Sequence, residues 1–362
     1  MPCYYATVCS GLEFVAEAEI RERFLKSKIL ASILGKVIFE IPQVEICGDE
    51  HLTESVMRLR SVNHVYACIG HFTGVPGDES GLAWLQGCIT RPAFDEAVSH
   101  WRRVKQGGTV TDCVTPQTFK VTAQRVGEHA YTSNQIAAAV GAEVIAQYGW
   151  KVNLTHPDII VHIHVSDADC IIGIPLTEKG LHHRNRIAYG RTSLSASVGY
   201  ALLFLAQPFD GMVFVDPMCG TATIPIEAAL ALKNAYYLCG ELDAKTHQLA
   251  KTNLEFARVP VHLFRWDARQ MPLKKHSVDR VVSNLPFGRR VGSRAQNQVL
   301  YQAFITELAR VLKPGGHAVL LTEEHRLMTK ILKRETELRL EGRYPINVGG
   351  LWPEAFHLVH QR

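Results

Sequence analysis

The residues best suited to chemistry stand in the turn Asn284-Leu285-Pro286-Phe287, directly after an apolar strand pattern at residues 278–283. The Asn284 side-chain oxygen and the Leu285 carbonyl can each accept one hydrogen of an amine, and Pro286 stiffens the turn. Phe287 offers a flat face for a nucleobase, and such stacking contributes roughly 1–3 kcal/mol. An exocyclic base amine is a poor nucleophile because its lone pair is delocalised into the ring. A turn that holds the amine so that its lone pair is out of conjugation and directed at the electrophile suits alkylation of the amine. The alternative is a strand-end turn that only buries a phenylalanine.

A second candidate is the loop of residues 216–223, Asp-Pro-Met-Cys-Gly-Thr-Ala-Thr, between the apolar run 212–215 and an alanine-rich helical pattern at 226–232. Strand, tight loop and helix in this order predict the opening unit of a doubly wound parallel sheet. N–H groups at the helix amino end favour a carboxylate or phosphate, and the acid at the strand end can hold a ligand amine. The loop lacks both the G-x-G-x-x-G pattern and a following Gly-Lys-Ser/Thr, which excludes a P-loop. A turn without ligand is the alternative.

Further strand patterns predict the elements that would position these residues. Strands are predicted at 212–215, 235–239, 261–264, 278–283 and 317–321, with a helix at 301–312. Glu241 and Leu242 follow the second strand, where such folds hold ribose hydroxyls, and Asp267 and Ala268 follow the third. An acid beside a small residue suits an adenine ring with its amino group. Because open α/β sheets bind ligands outside the carboxyl ends of their strands, we expect these side chains to line one site.

Residues 190–362 resemble the class I S-adenosylmethionine-dependent methyltransferases, and the 216–221 turn is similar to that of THUMP-domain tRNA guanosine-N2 methyltransferases. The resemblance implies S-adenosylmethionine as cofactor and a Rossmann-like domain. It assigns cofactor binding to Ser197, Asp216, Met218, Cys219, Gly220, Thr221, Glu241, Leu242, Asp267 and Ala268, and catalysis to Asn284, Leu285, Pro286 and Phe287. Ser197 is also predicted to cap the helix at 195–205. Ala222 stands where the family has a second glycine; a methyl group is disfavoured if the backbone needs φ > 0, which puts cofactor affinity in question.

The amino-terminal half resembles an α+β THUMP domain preceded by a small ferredoxin-like domain. The most telling stretch is the strand pattern 119–125, before a helix at 133–148 that Ser133 is predicted to cap. The predicted fold is therefore α/β, with its segments at 1–78 (ferredoxin-like), 79–176 (THUMP), 177–192 (linker) and 193–362 (doubly wound methyltransferase domain). In that family the THUMP domain captures the single-stranded 3′ end of tRNA, and Lys120, Arg125 and Lys151 are the candidate phosphate contacts.

Two further groups of polar and basic residues are candidates for RNA binding. The linker contains Arg184, Asn185 and Arg186, which form either a solvated connector or a segment that binds RNA phosphates. Arg289, Arg290 and Arg294 follow the 284–287 turn, where an acceptor stem would lie; an ordinary surface loop is the alternative.

The net charge of +4 is unevenly distributed along the chain. Residues 1–175 hold 14 Lys and Arg against 19 Asp and Glu, whereas residues 176–362 hold 25 against 16. We therefore expect the surface that faces a polyanion to lie mainly on the carboxyl-terminal half and the linker.

Cysteine usage and hydropathy bear on the compartment. The 9 cysteines include no C-x-x-C pair, which favours a reducing intracellular compartment and argues against structural zinc.

The pair His162 and His164 lacks a Cys or acid at ligand spacing, which favours packing or contact with RNA. No apolar run approaches 18 residues and the amino terminus lacks a signal pattern, so we expect neither a membrane span nor secretion, and a cytoplasmic location that can extend to the nucleus.

Together these features favour a methyltransferase that forms N2-methylguanosine in the tRNA acceptor stem, at position 6 or nearby. The alternatives are guanine-N2 methylation of ribosomal RNA, adenine-N6 methylation, and an RNA-binding pseudoenzyme, which Ala222 suggests. A nicotinamide oxidoreductase shares the acid after the second strand but leaves Asn284 and Phe287 without a role. In the family that the chain resembles, eukaryotic members need a small zinc-binding activator subunit whereas archaeal members act alone, which makes such a subunit a candidate partner alongside tRNA.

Overall fold

The structure is a computed structural model that describes residues 2–33, 35–42, 55–105, 115–190, 193–288 and 294–361. The described residues group into two compact units. The first unit comprises Met1–Val8 and Ala16–Gly180, and the second comprises Cys9–Val15 and Leu181–Arg362.

The first unit is built on a mixed sheet. Its strands are β1 (Cys3–Thr7), β2 (Lys28–Ile33), β3 (Lys36–Glu40), β4 (His64–Thr73), β5 (Thr118–Val126), β6 (Lys151–Val152), β7 (Ile159–Ser166) and β8 (Asp169–Pro175). Within the described residues these eight strands pair in the order β2-β3-β1-β4-β8-β7-β5-β6. One sheet thus joins strands from both sides of residue 78. The boundary predicted there, and the ferredoxin-like assignment, stay predictions.

The helices of the amino-terminal half are α1 (Glu13–Arg23), α2 (Ser80–Gly87), α3 (Arg91–Lys105) and α4 (Ser133–Tyr148). The α4 helix is capped by Thr132, whose hydroxyl accepts the N–H of Gln135 while the Gln135 side chain accepts the N–H of Thr132. The prediction that Ser133 caps this helix was therefore wrong. Thr132 has an extended backbone, as a capping residue does, and Ser133 is already helical. The sequence does not reveal which of these two adjacent hydroxyl residues caps the helix.

The second unit is a doubly wound α/β layer. Its strands are β9 (Val213–Asp216), β10 (Tyr236–Gly240), β11 (Val261–Phe264), β12 (Val278–Asn284), β13 (Leu312–Thr322), β14 (Leu338–Pro345) and β15 (Glu354–His360). Its helices are α5 (Ala196–Leu205), α6 (Thr223–Ala231), α7 (Ala244–Ala257), α8 (Arg294–Val311) and α9 (His325–Leu332). In the described part of this unit the strand order is β11-β10-β9-β12-β13-β15-β14, parallel from β11 to β13 and antiparallel beyond. This confirms the predicted Rossmann-like fold.

Alternating side chains of the central strands form two apolar layers, because successive residues of a strand point to opposite faces. One layer contains Val215, Val281 and Leu320 with Tyr301, Phe304 and Leu308 of α8. The other contains Phe214, Val282 and Val319 with Val198 and Leu202 of α5 and Ile224 and Ala228 of α6. Helices therefore cover both faces of the sheet, and the ends of its strands remain as the place for a ligand.

Candidate active site

Neighbouring strand ends bring the predicted site residues to one edge of the second sheet. Asp216 ends β9, Asn284 ends β12, and Glu241 follows the last residue of β10. Since β9 pairs in parallel with both β10 and β12, these three residues lie on adjacent strands, at a usual spacing of about 4.8 Å. Asp267 lies shortly after β11, which is parallel to β10. The acids and the amide therefore share the edge where open α/β sheets bind ligands.

Hydrogen bonds hold the candidate cofactor loop, residues 216–223 and called the cofactor loop below, against those strand ends. Cys219 donates its N–H to the last carbonyl of β10 at 2.9 Å, and Gly220 donates its N–H to the Glu241 carboxylate at 3.1 Å. The indole N–H of Trp266 donates to the second carbonyl of the loop at 3.1 Å. These bonds fix the loop, so N–H groups at the start of α6 can be held ready for a ligand carboxylate.

Asp216 is a desolvated acid at the centre of the site, with 1% of its surface exposed. Its Oδ1 accepts the Ser283 hydroxyl at 2.8 Å and the Met218 N–H at 3.2 Å. Burial raises the pKa of Asp216 to about 7, although both hydrogen bonds act to lower it. Burial also raises the pKa of Glu241. Among the described residues neither carboxyl group forms an ion pair, which suits both for a ligand that brings an amine or hydroxyl donors.

Asp267 differs from the other two acids, because its carboxylate is bound by the guanidinium of Arg269. The Arg269 guanidinium donates to both carboxylate oxygens at 2.6 to 3.0 Å, and this contact lowers the pKa of Asp267. An adenine amino group at this position would have to share the carboxylate with Arg269. The assignment of Asp267 to the adenine stays a prediction.

The other predicted cofactor residues differ in exposure. Ser197, Cys219, Thr221 and Ala268 are buried, Met218 and Gly220 are half-buried, and Leu242 is 56% exposed. Ser197 does not cap α5 as predicted: the cap is Ser195, whose hydroxyl accepts the N–H of Val198 at 3.4 Å. The Ser197 hydroxyl lies 3.3 Å from that of Ser195, inside the first turn. The sequence offered two serines two residues apart, and only the backbone geometry separates their roles.

The candidate catalytic turn, residues 284–287 and called the catalytic turn below, presents a buried acceptor without a partner among the described residues. The Asn284 Oδ1 atom is buried and accepts no hydrogen bond from the residues that the structure describes. Leu285 is 1% exposed and its N–H donates to the Leu321 carbonyl at 3.0 Å, which continues the β12–β13 pairing. Phe287 is half-buried and packs partly against the apolar layer under α5. A buried amide oxygen without a hydrogen bond lowers the stability of the fold by about 1–3 kcal/mol. We therefore infer that Asn284 Oδ1 accepts a hydrogen bond from a ligand.

Two side chains of α8 hold this turn, and no sequence pattern signalled either of them. The Pro286 carbonyl accepts hydrogen bonds from Asn297 Nδ2 and from the Tyr301 hydroxyl, both at 2.8 Å. The Tyr301 oxygen lies 2.7 Å from the Thr322 hydroxyl, which in turn accepts the N–H of Glu324 at 2.9 Å. Burial raises the pKa of Tyr301, so its phenol stays protonated and donates. Each group in this series of hydrogen bonds therefore donates toward the turn: Thr322 donates to Tyr301, and Tyr301 donates to the Pro286 carbonyl.

Replacing Tyr301 with phenylalanine is expected to lower the rate of methyl transfer about tenfold while leaving cofactor affinity unchanged. The change removes one of the two donors that orient the Pro286 carbonyl, and a misplaced acceptor weakens positioning. We expect a loss of about 1 kcal/mol in unfolding free energy from one buried hydrogen bond. Tyr237→Phe removes a comparable phenol-to-carbonyl bond, to Leu232 and away from the turn, and serves as the control for stability alone. Equal rates in the two variants would contradict the positioning role.

Asn253 is a second residue that the sequence did not reveal. Its fully buried amide accepts the N–H groups of Ile187 and Ala188 and donates to the carbonyls of Ala188 and Thr221, at 2.8 to 3.1 Å. One side chain of α7 thus connects the predicted linker to the cofactor loop. A single Asn within a helical pattern carries no such information by itself.

Ala222 has φ of +65°, the left-handed conformation that the missing glycine would have adopted without strain. Its methyl group is fully buried in an apolar cluster with Cys219, Ile226, Cys239 and other residues of the loop, α6, β10 and α7. The strain of this conformation is about 1–2 kcal/mol, and the buried methyl group offsets roughly 0.8 kcal/mol of it.

The variant Ala222→Gly is accordingly expected to change the unfolding free energy by less than about 1 kcal/mol, because glycine relieves strain but loses the buried methyl group and gains unfolded-state entropy. Since the methyl group packs into this cluster, cofactor affinity should change less than threefold. Denaturant unfolding and calorimetric titration measure the two quantities. An affinity gain above tenfold would instead support the pseudoenzyme alternative.

The predicted RNA-binding residues lie in several settings. Arg184 pairs with the buried Glu227 through two contacts of 2.8 and 3.2 Å, and the buried Arg186 donates to Thr223. Both guanidinium groups thus support α6, and Asn185 between them has φ of +60°. Their role toward RNA stays a prediction.

The other predicted RNA contacts lie in the first unit and after the catalytic turn. Lys120 and Arg125 are half-buried on β5, and Arg125 donates to the Gly127 carbonyl at 3.0 Å. Arg289 and Arg290 lie outside the described residues, as does the side chain of Arg294, with which α8 begins. These assignments also stay predictions.

The histidine pair of β7 is packed into the first unit. His162 Nδ1 lies 3.4 Å from the Tyr5 hydroxyl, and burial lowers the pKa of both His162 and His164 to about 4. In the described ranges no group of three potential ligands is placed to hold a metal ion. Nor does any described helix combine the length and the apolar character needed to cross a membrane.

Two family models match the chain: a THUMP domain at residues 101–174 and an RMKL-like methyltransferase domain at residues 183–354. A tRNA (guanine(6)-N2)-methyltransferase of Thermus thermophilus is 35% identical over 242 residues, which cover 66% of this chain and 72% of that protein. The chain belongs to the THUMP-domain guanine-N2 methyltransferase family. This confirms the family resemblance and the THUMP assignment.

Other family members agree with this placement. The crystal structure of TrmN from Thermus thermophilus superposes with a TM-score of 0.79 at 26% identity, over 99% of this chain and 100% of that one. The mouse tRNA (guanine(6)-N(2))-methyltransferase THUMP3 is 36% identical over 258 residues, which cover 67% of this chain. Those residues are 51% of the mouse protein, so the match spans about half of its length.

Proposed function

We propose that this chain is an S-adenosylmethionine-dependent methyltransferase that forms N2-methylguanosine in the acceptor stem of tRNA, at position 6 or nearby. The observation that carries the proposal is the buried Asn284 Oδ1, which accepts no hydrogen bond from the described residues and lies at the edge of the sheet where Asp216 ends β9 and Glu241 follows β10. A methyl donor and a base amine could meet at such an edge. The names of the family members support guanine N2 as the target and tRNA as the substrate.

The residues present fit a cationic amino-acid and nucleoside cofactor. Asp216 and Glu241 are desolvated acids without an ion-pair partner in the described residues, and the loop that precedes α6 can hold N–H groups ready for a carboxylate. We assign the methionine end to Asp216 and the loop from Met218 to Thr221, and the ribose to Glu241. When bound, S-adenosylmethionine supplies an electrophilic methyl group on a sulfonium sulfur.

In the proposed reaction the chain positions the nucleophile. Asn284 Oδ1 and the Leu285 carbonyl accept the two amine hydrogens, which turns the nitrogen lone pair out of conjugation. The Pro286 carbonyl, held by Asn297 and Tyr301, keeps the turn rigid, and Phe287 stacks on the base. A strong general base is not needed, because alkylation makes the nitrogen strongly acidic and its proton can then pass to water.

The first unit would supply the recognition of tRNA. We propose that its THUMP domain binds the single-stranded 3′ end, with Lys120 and Arg125 contacting phosphates. The family model that matches residues 101–174 supports this assignment.

The test is transfer of a labelled methyl group from S-adenosylmethionine to tRNA and to ribosomal RNA, followed by nucleoside analysis. We expect N2-methylguanosine in tRNA. Labelled ribosomal RNA, or N6-methyladenosine, would replace the proposal with one of the other two activities. Intact tRNA binding without any cofactor binding would identify a pseudoenzyme.

A small zinc-binding activator subunit is the proposed protein partner, as the family resemblance implies. Within the described residues β11 is an edge strand of the sheet, and Phe264 on it and Leu242 nearby are 43% and 56% exposed. An open strand edge with exposed apolar side chains suits pairing with another chain. The seven cysteines that the structure describes are free thiols, which supports a reducing, cytoplasmic setting. Co-purification of the chain from cells tests the partner, and fractionation of the cells tests the compartment.

A further inference from the structure

A basic pocket lies on the second unit, outside the site described above. It has a volume of about 360 Å³ and is formed by α9, the residue that follows it, and β14. Its lining residues are His325, Arg326, Thr329, Lys330, Lys333 and Arg343. Five of these six side chains are cationic or can become so, which makes the pocket a candidate for an anionic ligand.

Three of the cations form one exposed stripe. Arg326, Lys330 and Lys333 stand at positions i, i+4 and i+7 of the helical repeat, which places them on one face of α9. The opposite face is anchored by the buried Met328 and Ile331. In the described part of the chain none of the three cations has an acidic partner. Like charges at this spacing destabilise a helix, so a ligand that neutralises them would compensate.

The other wall of the pocket has fixed geometry. Arg343 pairs with Glu354, and its guanidinium lies 5.0 Å from the centre of the Phe356 ring. His325 Nδ1 lies 3.5 Å from the same Glu354 carboxylate. Glu354 therefore neutralises part of the charge on the β14 side, and the net positive charge is concentrated on the α9 stripe.

The register of the sheet places this pocket at the same edge as the catalytic turn. Asn284 pairs with Leu321 of β13, and α9 begins at His325, only four residues later. Arg343 is opposite Phe356, which is opposite Leu320, at the level of the residue before Asn284. Three strand spacings of about 4.8 Å separate β14 from β12, which is roughly 14 Å. That distance corresponds to about four base-pair steps of about 3.4 Å along the axis of a nucleic-acid duplex.

We propose that the pocket binds backbone phosphates of the RNA a few nucleotides from the target base. The inference rests on the proposed function, because it assigns a contact to that substrate. Exposed cations in a line favour a phosphate chain, since each neutralised phosphate releases a counterion and no base needs to be read. The pocket would thus fix the register of the RNA on the catalytic turn without contributing to sequence recognition.

The test is the triple variant Arg326→Glu/Lys330→Glu/Lys333→Glu, with Lys274→Glu/Lys275→Glu as the control. Lys274 and Lys275 are exposed and precede β12, at the opposite end of the strand from Asn284. We expect the triple variant to bind tRNA at least tenfold more weakly. The slope of log affinity against log salt should fall by about two to three, whereas the control should lose less than threefold. Calorimetric affinity for S-adenosylmethionine should be unchanged in both variants, which shows that the fold is intact.

The outcomes separate the inference from the proposed function. If the wild type does not methylate tRNA, the proposed function is wrong. If it does, and the triple variant keeps the wild-type affinity and salt slope or loses no more than the control, the pocket is not a phosphate site for this RNA. Competition by inorganic phosphate at millimolar concentration that equals competition by a short RNA duplex would also contradict the inference, and would show a site for free phosphate.

Discussion

Replacing Asn284 with alanine is expected to reduce methyl transfer to tRNA at least hundredfold, with cofactor affinity within threefold of the wild type. The Asn284 Oδ1 atom is the acceptor that would orient the amine, and loss of one such oriented group typically costs a factor of about 10² to 10³. Single-turnover transfer with saturating cofactor measures the chemical step, and calorimetric titration measures the affinity.

The same substitution is expected to raise the unfolding free energy by about 1 kcal/mol, because it removes a buried acceptor that lacks a partner among the described residues. Asn284→Asp is the matched control, since it keeps an oxygen of similar position and should retain more activity than alanine. If Asn284→Ala kept more than a tenth of the rate, or lost activity only through unfolding, the amine would have to be oriented by other groups.

The sequence predicted the polar residues at the strand ends because they follow directly from local order. A strand pattern that leads to Asp216, Asp267 or Asn284 places these residues at the carboxyl edge whatever the rest of the fold does. The question of the φ angle at Ala222 also arose from the sequence, because the family has a glycine at this position, and the structure gives Ala222 a φ of +65°. Local geometry and strand order were therefore accessible without coordinates.

Contacts between distant segments were not accessible. The sequence does not reveal the partner of Arg184, because Glu227 is 43 residues away and only the packing of α6 brings the two together. The clamp that Tyr301 makes on the Pro286 carbonyl depends on the rotation of α8 about its axis. The stripe of α9 was missed because Arg326, Lys330 and Lys333 are separated along the chain and become adjacent only on a helix face.

Replacing Asp216 with asparagine is expected to abolish the pH dependence that this residue gives to stability. The pKa of Asp216 is about 7 in the folded chain because of burial, against an ordinary value of 3.8. Between those values the folded state keeps the proton and the unfolded state loses it, so the unfolding free energy falls as pH rises from about 4 to 7. At about 1.4 kcal/mol per unit of pKa, the full loss is about 4 kcal/mol above pH 7. Because the asparagine side chain stays neutral, the variant should be more stable than the wild type at pH 8 and similar at pH 4.

Cofactor affinity should depend on pH in the opposite direction to stability, because the ammonium group of the ligand favours the ionised carboxylate of Asp216. Wild-type affinity is expected to rise from pH 6 to pH 8 with release of a proton, whereas Asp216→Asn should bind at least tenfold more weakly at pH 8 and lose this dependence. Urea unfolding at pH 5 and 8, and calorimetry in buffers of different ionisation enthalpy, measure the two effects. Asp243→Asn is the control, since Asp243 is exposed, hydrogen bonds from Thr246 lower its pKa, and asparagine caps α7 almost as well. A flat stability profile in the wild type, or undiminished affinity in Asp216→Asn, would mean that this carboxyl group is already ionised or does not face the donor.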